Sequence, residues 1–127
     1  MPAPYRNLVA WQRADDLFVE IHKLTRQKLP RFEQFELGRQ IRRAAYRFPA
    51  NIAEGNSRQH PNDAAHFFNI AVASLAEAGY GLHAAERPGY LVPEDVARLE
   101  SSIRRTLAPL QGLIKSRRRL ATAGTRA

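Results

Sequence analysis

Apolar side chains recur along this chain at intervals of three and four, the spacing that sets them on one face of an α-helix. Four stretches carry the pattern. The first runs from about Leu8 to Lys28, with Trp11, Ala14, Phe18, Ile21 and Thr25 on one stripe, Leu17 and Leu24 widening it, and Asn7 suited to cap its start. Pro30 closes it, because the residue before a proline avoids helical geometry. The second begins near Glu33 and sets Leu37, Ile41, Ala44, Phe48, Asn51 and Gly55 on a heptad seam. The third opens after His60 and Pro61 with the seam Ala64, Phe68, Ala71, Leu75, Ala78, Leu82 and Ala85, and it breaks at Pro88 and Gly89. The fourth starts near Pro93 with Glu94 and Asp95 in its first turn, and its stripe is Val96, Leu99, Ile103, Leu107, Leu110 and Ile114, interrupted by Pro109.

No strand alternation, hairpin signal or internal repeat accompanies these segments. Four helices with short connections predict an all-α, antiparallel up-and-down four-helix bundle over residues 1–120, followed by a disordered C-terminal tail over 121–127. The third helix carries more than a bundle requires. Between Ala64 and Ala85 its only formal charge is Glu77, and Phe67, Ile70, Val72 and Ala76 lie off the seam. A bundle leaves every helix one outer side, so an apolar outer side predicts contact with another subunit and hence a homo-oligomer.

The stretch "RFPANIAEGNSR", residues 47–58, sits inside the second helix. Pro49 lacks the amide that would bond the carbonyl of Ala45, so a bend or restart is expected there. Phe48 and Ile52 face the core, and Asn51 falls on the seam, where a polar side chain fixes register. Gly55 can supply the left-handed geometry that stops a helix. Glu54 lies beside Arg47 and Arg58 on the polar side.

Composition adds a partner class to the bundle. The chain has 127 residues, no cysteine and a formal charge of +8. Residues 37–59 carry five arginines against Glu54, and residues 101–127 carry seven basic groups with no acid, which gives +4 and +7 and leaves −3 elsewhere. Concentrated positive charge favours a polyanionic or acidic partner, and it also serves solubility. The N-terminus lacks the basic-then-apolar order of a signal peptide, and the longest uncharged helical run, Ala64–Ala76, is 13 residues, short of a membrane span. A cytoplasmic protein with no membrane association is expected.

The motifs of enzyme chemistry are missing. There is no GxxxxGK[ST] to cradle phosphate and no GxSxG elbow to hold a nucleophile. A di-iron bundle needs inward glutamates and paired ExxH motifs, whereas the nearest match is one Asp63-x-x-His66 at a helix start. His22, His60 and His83 share no ligand spacing, and the adjacent acids Asp15-Asp16 and Glu94-Asp95 point in different directions on a helix. No catalytic, cofactor or metal residue is assigned, and a non-enzyme is expected.

The basic residues fall into two sets. Arg39, Arg43 and Arg47 lie four apart on the second helix, on a ridge that continues through Asn51, Glu54 and Arg58. Such a row can position phosphates, or it can be a solvated face. On the fourth helix Arg104, Ala108, Gln111, Lys115 and Arg118 share a polar face, and "KSRRRL" adds Arg117 and Arg119. This run can complement the helix dipole, but consecutive arginines exceed that need, so a nucleic-acid patch is the expectation. Trp11 and Tyr46 are the nearest aromatics, but both sit beside apolar stripes and read as core, so no single-strand stacking platform is expected.

The segments "LVAWQRADDLFVEIHKLT", "LGRQIRRAAYRFPANIAEG", "FFNIAVASLAEA" and "GYL" resemble, in order and spacing from about Tyr5 to Ser116, the four-helix-bundle family encoded in intervening sequences of bacterial large-subunit ribosomal RNA. Trp11-Gln12 and "PANIAEG" are the most specific elements. The resemblance implies a ring-shaped homo-oligomer, typically a pentamer, with no established enzymatic activity. It extends distantly to the accessory proteins of diversity-generating retroelements, which bind a reverse transcriptase and nucleic acid. Trp11, Arg42, Arg43, Pro49, Asn51, Ile52, Glu54 and Gly55 match the family pattern, none with a catalytic role. The chain departs from the family at "AEAGYGLHAAERPGYL", where Gly79 and Gly81 each lower helix propensity by about 1 kcal/mol.

The expectation is therefore a non-enzymatic basic oligomer that binds nucleic acid, RNA first, through Arg39, Arg43, Arg47, Arg58, Arg104, Lys115, Arg117, Arg118 and Arg119. The alternative is a scaffold that receives an acidic protein partner.

Overall fold

The computed structural model describes residues 3–126, and four helices make up the fold: α1 (Val9–Lys28), α2 (Leu37–Asn56), α3 (Pro61–Glu86) and α4 (Pro93–Arg126). Met1, Pro2 and Ala127 of the expected domain and tail lie outside the described residues. Each helix packs on its neighbours in the chain, and α4 closes back on α1, as in the expected up-and-down bundle. Among the described residues there is no strand.

The α3 seam is buried as the spacing predicts, from Ala64 through Phe68, Ala71, Leu75, Ala78 and Leu82 to Ala85. On α1 the buried face is centred one position away from the expected stripe: Ala10, Ala14, Leu17, Ile21, Leu24 and Thr25 are buried, while Trp11 and Phe18 sit half-buried at its edge. On α4 Thr106 is buried, and Ile103 and Leu107 flank the core. Thr106 reaches this depth because its hydroxyl donates to the carbonyl of Ser102 at 2.7 Å, so no polar atom is left unpaired.

α2 and α3 make the most extensive contact, and two glycines allow it. A Cβ at Gly55 would lie 2.6 Å from Cε1 of Phe68, and one at Gly81 would lie 2.6 Å from Cγ1 of Ile41. Phe68 of α3 thus fills a notch in α2, and Ile41 of α2 fills a notch in α3. The propensity lost at Gly81 is the condition for this packing. Gly55 does not end α2 in the left-handed region. Among the described residues only Gly89 has a positive φ, 89°, in the turn between α3 and α4. α2 instead runs on to Asn56, and Ser57 donates through both its amide and its hydroxyl to the carbonyl of Glu54.

Three further expectations change. Asn51 is half-exposed, and its Nδ2 donates to the carbonyl of Arg47 on its own helix at 2.8 Å, so it pins no interhelical register. α2 does not restart at Pro49 but runs continuously through it, with the proline buried. α1 is preceded not by an Asn7 cap but by a 3-10 turn, Pro4–Asn7, and Leu8 occupies the cap position with no side-chain bond. Trp11 and Gln12 secure that turn. Gln12 Nε2 donates to the carbonyl of Arg6 at 2.8 Å, and the Trp11 ring meets Tyr5 edge-on at 4.9 Å.

The C-terminal end also differs. α4 continues past Leu120 to Arg126 where a disordered tail was expected from 121. Ala121, Thr122 and Ala123 present no stop signal before Gly124, and extending a formed helix adds one hydrogen bond per residue fixed. At 34 residues α4 is about 51 Å long, against 20–26 residues for the other three, and its basic end lies alongside α3, where Lys115 and Arg118 meet Asn69 and Val72.

Candidate functional site

Two polar clasps position the charged surface. At the first, α1 ends at Lys28 with carbonyls that have no helical partner. Gln34 Nε2, from the short connection, donates to the carbonyls of Thr25 at 3.0 Å, Leu29 at 2.9 Å and Arg26 at 3.3 Å. Arg42 of α2 reaches back, with Nη1 donating to Thr25 Oγ1 and Gln34 Oε1, both at 3.3 Å, and Nη2 donating to the carbonyl of Gln34. Burial first, then the charges of Arg26 and Arg39, holds the Arg42 guanidinium below its ordinary pKa. This network occupies Gln34, so α2 starts at Leu37 and not near Glu33; residues 31–33 form a 3-10 turn.

The second clasp answers Pro109. A proline has no amide to offer the carbonyl four residues back, here Arg105. Arg13 of α1 donates to that carbonyl from Nη1 at 2.9 Å. The interruption in α4 thereby becomes a tie between α1 and α4.

Beside the first clasp lies an open groove of about 400 Å³ between α1 and α2. Arg26, Arg39, Arg42, Arg43 and His22 line it together with Phe18, Phe35 and Tyr46, and no carboxylate does. Tyr46 is not core: it is 60 % exposed, and Phe35 is 69 % exposed. The Phe18 ring meets Tyr46 edge-on with centroids 6.3 Å apart. A period-of-seven reading of α2 puts Tyr46 beside the seam, but the neighbouring helices cover only Ala44, Ala45 and Phe48 in that turn. The sequence signal that marks Tyr46 as outward is its place three residues after Arg43 and seven after Arg39, on the arginine row.

The remaining predicted arginines separate. Arg47 is exposed next along the α2 row. Arg58 is already engaged: it forms an ion pair with Glu54, and its guanidinium carbon lies 4.5 Å from the centroid of the Phe67 ring. On α4, Lys115 and Arg118 line a groove of about 580 Å³ against Asn69 and Val72 of α3. Arg119 lines a shallower depression with Leu120, and Arg117 sits half-buried with its guanidinium 5.9 Å from the Phe68 ring. Arg104 is exposed farther back on the helix. Around the bundle the α1–α2 edge and the α3–α4 edge are opposite, so the two basic sets form two patches and not one.

Among the described residues, the ion pairs within reach involve only Arg58 with Glu54 and Arg98 with Glu20 and Asp95. Arg39, Arg43, Arg47, Arg118 and Arg119 therefore face solvent without a carboxylate partner. No cluster of three or more His, Asp or Glu side chains that could hold a metal occurs among the described residues, and no described helix is long and apolar enough to cross a membrane.

Residues 6–112 match the sequence model of the family described as 23S rRNA-intervening sequence protein. The chain belongs to that family. A crystal structure of a protein of unknown function from the S23 ribosomal protein family, from Bacteroides thetaiotaomicron, is similar in fold, with a TM-score of 0.77 and 24 % identity over 84 % of this chain and 99 % of that one. No curated protein matches the chain. The family match ends at Gly112, so the α1–α2 groove lies within it and the basic end of α4 from Lys115 onward lies beyond it.

Proposed function

We propose that this 23S rRNA-intervening sequence protein is a non-enzymatic, cytoplasmic homo-oligomer that binds nucleic acid, RNA first, through unpaired arginines. The observation that carries the reading is the α1–α2 groove, where Arg26, Arg39, Arg42 and Arg43 converge with no carboxylate among the lining residues. Four like charges held together raise the local potential and attract phosphate, and the arginine fork matches phosphate oxygens. The α4 patch, Lys115 with Arg118 and Arg119, adds a second, sequence-independent hold on the backbone.

The outer face of α3 fits the homo-oligomer in this reading. Ile70, Ala73, Ala76 and Tyr80 stand exposed on the outer side of α3, a largely apolar surface with no lysine or arginine along it. Burying that surface against another copy would give a ring, five-membered by resemblance to the family, and would repeat each basic patch. Repetition raises avidity for an extended polyanion without any new contact.

The test is binding of a labelled RNA across a salt series, with the absolute mass and 260/280 nm absorbance ratio of the purified assembly. The expected result is log Kobs falling linearly with log salt, the slope reporting the number of phosphates neutralised. No binding at low salt, or a flat dependence, refutes the reading. A protein partner that remains bound after nuclease treatment would favour the scaffold reading instead.

A further inference from the structure

We propose that the α1–α2 groove takes an unpaired stretch of nucleic acid, with bases stacking on Phe35 and Tyr46 while Arg39 and Arg43 hold the flanking phosphates. The proposal rests on the nucleic-acid reading above and adds to it the strandedness of the ligand and the place where it is read.

Among the exposed large hydrophobic residues, Phe32, Phe35, Tyr46 and Tyr80 are the four most open, and two of them share this one groove with the arginines. Arg39, Arg43 and Tyr46 fall at i, i+4 and i+7 of α2, so the two cations and the ring stand on one helical face. Tyr46 is braced by the edge-on contact with Phe18, whose ring lies 5.7 Å from that of His22. A braced ring loses little rotamer freedom when a ligand covers it.

Arg42 is held beneath the groove by Gln34 and Thr25, so its charge is fixed there while Arg39 and Arg43 stay unpaired above. The groove, about 400 Å³, is of the size of small-ligand sites, roughly 300–1,000 Å³. It suits one or two nucleotides and not the width of a duplex.

Strandedness follows from the rings. A base within a duplex hides both faces in the stack, so an aromatic side chain can cover only a base that is unpaired. Phosphate contacts alone would not distinguish the two forms. The α4 grooves provide the internal contrast, because Lys115 and Arg118 have Asn69, Val72 and Gln111 as neighbours and no aromatic ring.

The same groove of a second copy, meeting this one across a two-fold axis, is a poor occupant. The same groove on a symmetry-related chain would bring its arginines against these, with no carboxylate from either groove to separate them.

The experiment titrates the full chain with an unstructured oligoribonucleotide and with an RNA duplex of equal phosphate count, at matched salt. The expected result is tighter binding of the single strand. Phe35→Ala and Tyr46→Ala, both at exposed positions, should each weaken it roughly tenfold and leave duplex affinity and the salt slope unchanged. Tyr46→Trp, which keeps a stacking face, should retain single-strand affinity. Arg39→Gln with Arg43→Gln should weaken both forms and flatten the salt slope.

Equal affinity for both forms, with the ring substitutions silent, overturns the stacking proposal and leaves the nucleic-acid reading standing. Binding of neither form overturns both. Loss of assembly mass on substituting Phe35 and Tyr46 would place the rings in a subunit contact and also overturn the proposal.

Discussion

Replacing Gly55 with alanine tests the close approach of α2 and α3 that the whole arrangement depends on. The added Cβ would lie 2.6 and 2.8 Å from Cε1 and Cδ1 of Phe68 and 3.0 Å from the carbonyl oxygen of Ala64. Neither obstacle can yield easily. Phe68 is fully buried, and the Ala64 carbonyl is helix backbone. Overpacking a core site costs about 1–3 kcal/mol, and two stiff obstacles put this site at the upper end. Alanine regains about 1 kcal/mol of helix propensity over glycine, so the net loss is about 2 kcal/mol. For a chain of this length that is a fall in Tm of roughly 6–10 °C.

The assay is thermal unfolding by circular dichroism at fixed protomer concentration, since an oligomer's Tm depends on concentration. Gly112→Ala supplies the control. Nothing lies within 4 Å of a Cβ there, and the position is exposed on α4. The same chemical change should therefore raise stability by up to about 1 kcal/mol. Opposite signs at the two glycines are the expected outcome. A Gly55→Ala protein as stable as the parent, or more so, would refute the account of α2–α3 packing.

Arg13→Leu should cost about 1 kcal/mol by uncapping the Arg105 carbonyl, and much less when Pro109→Ala returns an amide to that carbonyl; a double-mutant cycle by urea unfolding reads the coupling. Gln34→Leu should destabilise by about 1–3 kcal/mol as read by urea unfolding, because the Leu29 carbonyl loses its donor and Arg42 loses its bond to Gln34 Oε1. Ala73→Glu with Ala76→Glu on the outer side of α3 should reduce the assembly to the 14.4 kDa chain with helicity unchanged, as read by light scattering and circular dichroism; an unaltered mass would remove α3 from the interface. Lys115→Glu with Arg118→Glu should weaken single-strand and duplex binding alike, since that patch offers charge and no ring.

The helices were legible in the sequence because their cores are periodic, and the period of α3 survives intact from Ala64 to Ala85. What was not legible came from contacts between helices. Gly55 and Gly81 read locally as a stop and as a weak point, since a sequence shows the missing side chain but not the Phe68 or Ile41 that fills its place. Asn51 sits on a heptad position yet bonds its own helix, because its amide reaches the carbonyl four residues back more readily than any partner helix. Arg13 gave no signal at all: its target is a carbonyl 92 residues away, freed by a proline. Tyr46 was misplaced for a related reason, as the two helices flanking α2 cover a narrower face than its apolar residues suggest.

The net charge of +8 understates how selectively this fold deploys its arginines. Arg13 and Arg42 tie helices together through hydrogen bonds, Arg58 and Arg98 are paired with acids, and Arg117 lies over a buried ring. These five are answered within the molecule. Arg39, Arg43 and Arg47 on one side and Lys115, Arg118 and Arg119 on the other have no such answer, and they stand on opposite edges of the bundle. A solubilising surface would need no such division, since charge scattered on any exposed position keeps copies apart equally well. Grouping the unpaired cations beside open aromatic rings at one edge, and along α4 at the other, adds focused potential and stacking surface that solubility alone does not require. The separation also sets the length scale: a single ligand touching both patches of one chain must wrap the bundle, whereas a ring of copies would present the like patches of adjacent subunits along one rim.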